Sequence, residues 1–104
     1  MRILVLTIGA ATFLLGASNG WAADAKEVYL DKCAVCHGAD GAGKTAKGRK
    51  LKVKDIHDTA AKMSAEEMVK ITMDGKGANM DGFGKELGKD QVKSVVEYYR
   101  SLAK

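Results

Sequence analysis

Cysteine, histidine and aromatic side chains are scarce in this chain of 104 residues, which holds two cysteines, two histidines, two phenylalanines, three tyrosines and one tryptophan. A structural zinc ion takes four ligands, and a lone pair of cysteines supplies only two of them. So few aromatics build a thin core, and a small chain offsets a thin core with a disulfide, a metal or a cofactor. Positive charge is only mildly in excess, 17 Lys and Arg against 13 Asp and Glu. No clustered basic face with interleaved aromatics is present, which argues against nucleic acid as a partner. Strand-like alternation, internal repeats and low-complexity tracts are also missing, leaving an all-α reading.

Long apolar runs are missing too, with one short exception. Ile3 to Ala17 is an apolar stretch of fifteen residues behind Met1 and Arg2, below the roughly twenty that span a bilayer. Ser18-Asn19-Gly20-Trp21-Ala22-Ala23 then supplies small residues, in the order of a cleavable secretory signal. A cut after Ala22, Ala23 or Ala25 satisfies the pattern, and the uncleaved alternative is a membrane anchor. With the cut after Ala23, residues 1–23 are a signal peptide and residues 24–104 a single domain. The 17 basic residues become 16 without Arg2, against 13 acidic ones, a net +3. Export places the mature chain in the periplasm, without stable membrane insertion. In that oxidising compartment two lone cysteines would ordinarily pair.

What remains reads as three helices and their connections. Asp24 to Cys36 carries Ala25, Val28, Tyr29 and Cys33 at helical spacing. Gly38, Gly41, Gly43 and Gly48 punctuate a lysine-rich segment to Asp55, which reads as a solvated loop. Ser64-Ala65-Glu66-Glu67 is a capping box that opens a second helix, with Met68, Ile71 and Thr72 on its inner face and Gly75 as its stop. From Asp74 to Gly88 the chain is irregular and glycine-rich. Val92, Val95, Val96, Tyr99 and Leu102 then mark the apolar stripe of a last helix over about 89–102, whose expected partner is the first.

The chemistry lies in KCAVCHGADG, residues 32–41. Cys33 and Cys36 stand three apart with His37 directly after. Zinc lacks ligands here, because His37 abuts Cys36 too closely to share a tetrahedral centre and His57 is the only other imidazole. A thioredoxin-like disulfide wants its first cysteine at a helix N-terminus behind a strand, whereas this motif follows a helical pattern. Nothing nearby resembles an oxyanion hole or a third orienting group for a Cys/His enzyme. The contiguous CxxCH unit matches covalent haem attachment: two thiols add to vinyl groups at one porphyrin edge, and the next imidazole reaches the iron.

The opposite face of the iron then decides function. A soft, neutral thioether there favours Fe(II) and a closed six-coordinate site, whereas an open site would bind gas or peroxide. The candidates are Met63, Met68, Met73, Met80 and His57. Met68 and Met73 sit at or near helical core positions, where methionine more often packs. Met63 precedes the helix cap, and His57 reads as a solvated loop residue. Met80 lies in the glycine-rich segment with room to swing over the haem, and leads, with Met73 next.

These stretches together resemble the small class I cytochromes c of bacteria, over about Ala25 to Leu102. The resemblance rests on Tyr29 ahead of Cys33, the run from Cys33 to Gly41, the loop Asp74-Gly75-Lys76-Gly77-Ala78-Asn79-Met80-Asp81-Gly82-Phe83, and the ending Val95-Val96-Glu97-Tyr98-Tyr99-Arg100-Ser101-Leu102. It implies three main helices around one haem c, the first and last crossing, with Tyr29 and Tyr98 at or near the crossing. By matching position, Cys33 and Cys36 would carry the thioethers, His37 the proximal iron ligand role and Met80 the distal one. Two positions depart from the family pattern. Ala25 stands where a glycine is usual at the crossing, which would set the helices slightly apart. Asp81 stands where a proline usually follows the ligand methionine, which predicts a more labile loop.

The expectation is a monomeric, non-enzymatic periplasmic carrier that moves single electrons between larger redox complexes. Lys44, Lys47, Lys76 and Lys85 are its candidate docking rim. The rival expectation is a haem protein for ligand sensing or peroxidase-like chemistry, with a labile sixth ligand.

Overall fold

The computed structural model describes residues 24–104. The expected signal peptide lies outside the described residues.

Helix α1 covers 24–37 and changes register midway. Its middle is a π turn, Tyr29–Cys33, in which the Ala34 amide donates to the Tyr29 carbonyl five residues back, followed by the α turn Ala34–His37. A π turn inserts one extra residue into the helix and shifts the face presented by everything beyond it; such turns are frequent at functional sites. Gly38, at φ 84°, stops the helix.

The lysine-rich segment that reads as a loop contains a helix, α2, Ala46–Leu51. Its sequence, AKGRKL, has no apolar period, so the pattern gives no sign of it. Local bonding and close packing hold it instead. Thr45 Oγ1 caps it by accepting from the Gly48 amide at 2.9 Å, and Gly48 packs so tightly that a Cβ there would run into the Cys36 carbonyl oxygen. A second short helix, α3, Ile56–Thr59, follows, capped by the Asp55 carboxylate. Ile56 is completely buried.

Helix α4, Ala65–Asp74, starts at the expected capping box. Ser64 Oγ accepts from the Glu67 amide at 3.1 Å, and Glu67 Oε1 accepts from the Ser64 amide at 3.5 Å. Met68 and Thr72 are its buried residues, and Gly75 ends it at φ 87°. Helix α5, Gly84–Ser101, is broken at Gly88, where φ is 77°. One turn thus precedes the long helix that the valine stripe marks.

Val92 and Val96 of α5 pack with Ile56 and Met68 in one buried cluster, while Val95 packs with Ala25 and Tyr29 of α1 in another. Tyr29 lies against Tyr98, ring centroids 5.3 Å apart, and stacks on Tyr99 at 5.8 Å. The first and last helices therefore meet as the stripe requires, with Ala25 3 % exposed at the contact. Burial of a side chain such as Val92 is worth about 1.5–3 kcal/mol. Arg100 adds a polar clasp, donating to the Met63 carbonyl at 2.7 Å from the far end of α5.

Candidate functional site

Cys33 ends the π turn, and Cys36 and His37 close α1, so one helix end carries all three chemical groups. The backbone around them is bonded on several sides. Tyr29 Oη donates to the Gly38 carbonyl at 2.6 Å, Gly43 N to the His37 carbonyl at 2.8 Å, and Thr45 Oγ1 to the Val35 and Cys36 carbonyls at 2.7 and 3.2 Å. A helix C-terminus leaves its last carbonyls unpaired. Here Tyr29, Gly43 and Thr45 take them up, which fixes the turn.

Both thiols are free and half-buried. Burial pushes the Cys33 thiol up to about 11, and neighbouring Lys32 pulls against that shift without cancelling it. A nucleophilic redox cysteine needs its thiolate stabilised near neutral pH; Cys33 has the opposite environment. The His37 ring is half-buried, packs edge-on to Tyr99 at a centroid distance of 4.9 Å, and is held below its ordinary pKa by desolvation. It is therefore neutral, the form that coordinates metals. Its Nδ1 is buried without a hydrogen-bond partner. Buried polar atoms are almost always satisfied, so this orphan marks an imidazole that the polypeptide's own packing does not use. Two free thiols and an uncommitted neutral imidazole on one helix end fit a covalently attached haem.

The remaining candidate ligands are distributed differently. Met68 is 6 % exposed and belongs to the core, and Met63 and Met73 pack against that core. The exposed His57 is engaged at Nδ1 with Asp55 Oδ1 at 2.7 Å. Met80 is half-buried on a separate loop, outside both buried clusters. Lys76 N donates to the Met80 carbonyl at 2.8 Å, and Phe83 N to the Thr72 carbonyl at 2.7 Å, clipping the loop to the end of α4. A Cβ on Gly75 would come within 2.7 Å of the Gly82 amide nitrogen and 2.8 Å of the Met80 carbonyl.

The motif left several supporting residues unread. Lys32 Nζ, one residue before Cys33, pairs with Glu86 Oε1 at 3.0 Å, tying α1 to the turn that follows the Met80 loop. Hydrogen bonding to Glu86 raises the Lys32 pKa. Thr45, Gly48 and Tyr99 also support the site. Of these, Tyr99 is readable as part of the apolar stripe and Thr45 as a cap residue, but neither pattern shows its contact with the site.

Residues 21–98 match the family described as cytochrome c oxidase, cbb3-type, subunit III. The c-type cytochrome KustC0563 has a solved structure similar to this chain, with a TM-score of 0.71 at 29 % identity, covering 77 % of this chain and 98 % of that one. A tyrosine-to-phenylalanine variant of the same protein matches at a TM-score of 0.70 and 28 % identity, covering 76 % of this chain and 98 % of that one. The c-type cytochrome XoxG from Methylobacterium extorquens AM1 matches at a TM-score of 0.61 and 28 % identity, covering 80 % of this chain but only 50 % of that protein. Comparison with curated protein sequences returns no match.

The fold and the helix end bearing Cys33, Cys36 and His37 define a small c-type cytochrome of the all-α class I kind, with one covalently bound haem c and electron transfer as its general role. The chain belongs to the cytochrome c oxidase, cbb3-type, subunit III family.

Proposed function

We propose that this cytochrome is an exported, periplasmic carrier that shuttles single electrons between larger redox complexes. In this reading Cys33 and Cys36 anchor the haem, and His37 and Met80 are the axial iron ligands. The observation that carries it is the neutral imidazole of His37, its Nδ1 buried and unpartnered, on the same helix end as two free thiols. When bound, the haem supplies a one-electron Fe(III)/Fe(II) couple.

The chain's own residues do the rest. Cys33 and Cys36, once in thioether linkage, no longer react and serve as anchors. Tyr29 and Tyr99 wall the proximal side and exclude water, which lowers the local dielectric around His37. Of the methionines in the described residues, Met63, Met68 and Met73 are occupied in or against the core. That leaves Met80 to close the other face, and a closed face favours electron transfer over substrate chemistry.

The test is spectroscopic. The purified holoprotein should be red, keep its colour through acid–acetone extraction, and show six-coordinate spectra in both oxidation states. Its reduced form should not bind carbon monoxide promptly at neutral pH. Prompt binding would favour the second reading, a ligand-sensing or peroxidase-like haem protein, which draws on Asp81 in the place of a loop-stiffening proline. A colourless protein with titratable thiols would defeat both.

A further inference from the structure

An aspartate followed by glycine is the step at which a polypeptide most readily attacks itself, because glycine has no side chain to crowd its own amide nitrogen. Residues 24–104 contain three such steps, Asp40-Gly41, Asp74-Gly75 and Asp81-Gly82. The fold treats them differently. Gly41 is buried and its amide donates to the Gly38 carbonyl at 3.0 Å, while Asp40 Oδ1 accepts from the Ala42 amide at 3.0 Å. The Gly75 amide donates to the Ile71 carbonyl at 2.7 Å, and Asp74 Oδ2 lies 3.9 Å from Lys70 Nζ. Asp81 and Gly82 are both exposed, and among the described residues neither the Asp81 carboxylate nor the Gly82 amide has a hydrogen-bond partner. Nucleophile and electrophile are thus engaged at two of the steps and free at the third.

Asp81-Gly82 also lies between two backbone clamps. On one side the Met80 carbonyl accepts from the Lys76 amide at 2.8 Å, and on the other the Phe83 amide donates to the Thr72 carbonyl at 2.7 Å. Gly82 presses on the end of α4, where a Cβ would come within 2.7 Å of the Asp74 carbonyl carbon and 2.8 Å of the Met73 carbonyl oxygen. There is no slack toward α4, so any length added between the clamps must bulge outward or push back on Met80.

We propose that Asp81-Gly82 is a modification site, at which Asp81 isomerises spontaneously to isoaspartate, and that the lengthened backbone loosens Met80. The isomerisation stands on the loop geometry alone; its effect on Met80 rests on the axial-ligand reading above. In the first step the Gly82 amide nitrogen attacks Cγ of the protonated Asp81 carboxyl. An N–Cγ bond forms, the Cγ–OH bond breaks, and the hydroxyl leaves with the amide proton as water, closing a succinimide. In the second step water opens either C–N bond of the imide. Opening at Cγ restores aspartate. Opening at the α-carbonyl leaves the main chain running through Cβ and Cγ, with the α-carboxylate as the side group. Nothing is oxidised or reduced, water is the only co-reactant, and the mass is unchanged. The product carries an extra methylene in the backbone between Met80 and Gly82. A proline after the methionine has no side-chain carboxyl to close the ring, so the site exists because Asp81 stands in that place.

The experiment ages the holoprotein at mildly acidic pH and elevated temperature, samples it over weeks and digests each sample with trypsin. Cleavage at lysine puts the three steps in separate peptides, 33–44, 71–76 and 77–85. Isoaspartate is scored in each by labelled methyl transfer from S-adenosylmethionine with an isoaspartyl methyltransferase, and placed by electron-transfer fragmentation. The sulfur-to-iron absorption band is followed in the same samples. Peptide 77–85 should gain isoaspartate at least about three-fold faster than either of the others, because a bonded amide must first give up its hydrogen bond. The band should decline in step with the isomerised fraction. Asp81→Glu keeps the charge but would have to close a larger, slower-forming ring, and should suppress both changes. Equal accumulation in the three peptides, or none in 77–85, would overturn the site. Isoaspartate in 77–85 with an undiminished band, or an equal decline of the band in Asp81→Glu, would overturn the loosening of Met80. Fresh holoprotein without the band would defeat the Met80 ligand reading and the loosening with it, while the peptide map still reads the site.

Discussion

Tyr29 Oη donates a buried 2.6 Å hydrogen bond to the carbonyl oxygen of Gly38, across the two cysteines and the histidine that lie between them. The bond joins the middle of the helix crossing to the residue that ends α1, so packing against α5 is transmitted to the turn that bears Cys33, Cys36 and His37. Tyr29→Phe keeps the ring contacts and leaves the Gly38 carbonyl to the Gly41 amide alone, which donates to it at 3.0 Å. The expected cost is that of one lost hydrogen bond, about 0.5–1.5 kcal/mol, read as a lower urea midpoint of the holoprotein with an unchanged slope. A midpoint equal to the parent's would mean that the Gly41 amide alone satisfies the Gly38 carbonyl.

The Met80 loop is held by its own backbone and its bonds to α4, with Asp81 in place of a φ-locked residue. Met80→Ala should abolish the sulfur-to-iron absorption band, lower the reduction potential and admit carbon monoxide to the reduced form. Asp81→Pro should make that band more resistant to heat and alkali, because proline narrows the loop's unfolded ensemble. If the band is lost earlier than in the parent, then proline does not fit the loop's conformation. If Met80→Ala leaves the spectra unchanged, another residue holds the iron.

Gly48 has no room for a side chain, since its Cβ would meet the Cys36 carbonyl oxygen and then the Gly43 carbonyl oxygen at 2.6 Å. Gly48→Ala should therefore push α2 off the turn that bears Cys33, Cys36 and His37, at an overpacking cost of about 1–3 kcal/mol. The readout is the fraction of expressed chain that carries covalent haem, which should fall. A normal fraction with only reduced stability would show that α2 supports the fold without shaping the turn.

How much of this was legible in the sequence follows from the distance over which each feature is determined. The α4 start was readable because its capping box spans four residues, and the α5 stripe because its valines repeat within one helix. The triad Cys33, Cys36 and His37 was readable because it is contiguous. Helix α2 was not, since AKGRKL has no apolar face and its hold comes from a glycine pressed on a carbonyl twelve residues earlier. The π turn was not, because register inside a helix follows from packing at the crossing. The Lys32–Glu86 pair was hidden for a related reason: it joins residues 54 positions apart, and neither charge carries a local sign of its partner. Met80 stands between these cases, marked by loop composition while its own loop bonds came only from the fold.

The capping box that made α4 readable should also be measurable. Ser64→Ala removes the acceptor for the Glu67 amide and should cost about 1 kcal/mol, seen as a lower thermal midpoint with unchanged haem spectra. Ser64→Asp restores an acceptor at the cap and should recover most of the loss. An equal loss in both variants would mean that the box geometry is not what stabilises this end.

Alkaline pH should act on the tyrosine cluster around His37. Burial, with lesser effects from Asp55 and Cys33, pushes the Tyr99 phenol from 10.0 up to about 12, and burial raises Tyr29 as well. A raised phenol means that the folded state keeps its proton where the unfolded chain has lost it. Stability from both groups is then fully present below pH 10 and is lost as pH climbs through the folded values, because the native state binds more protons there. Lys32, raised by Glu86, acts in the same direction, so the parent's decline above pH 10 is a composite. Tyr99→Phe separates the contributions. Its thermal midpoint should fall less steeply than the parent's between pH 10 and about 12, and the phenolate absorbance that rises late in the parent should lose one equivalent. If the variant's midpoint falls as steeply as the parent's, then Tyr99 does not keep its proton in the folded state, and the wall beside His37 is wetter than its burial implies.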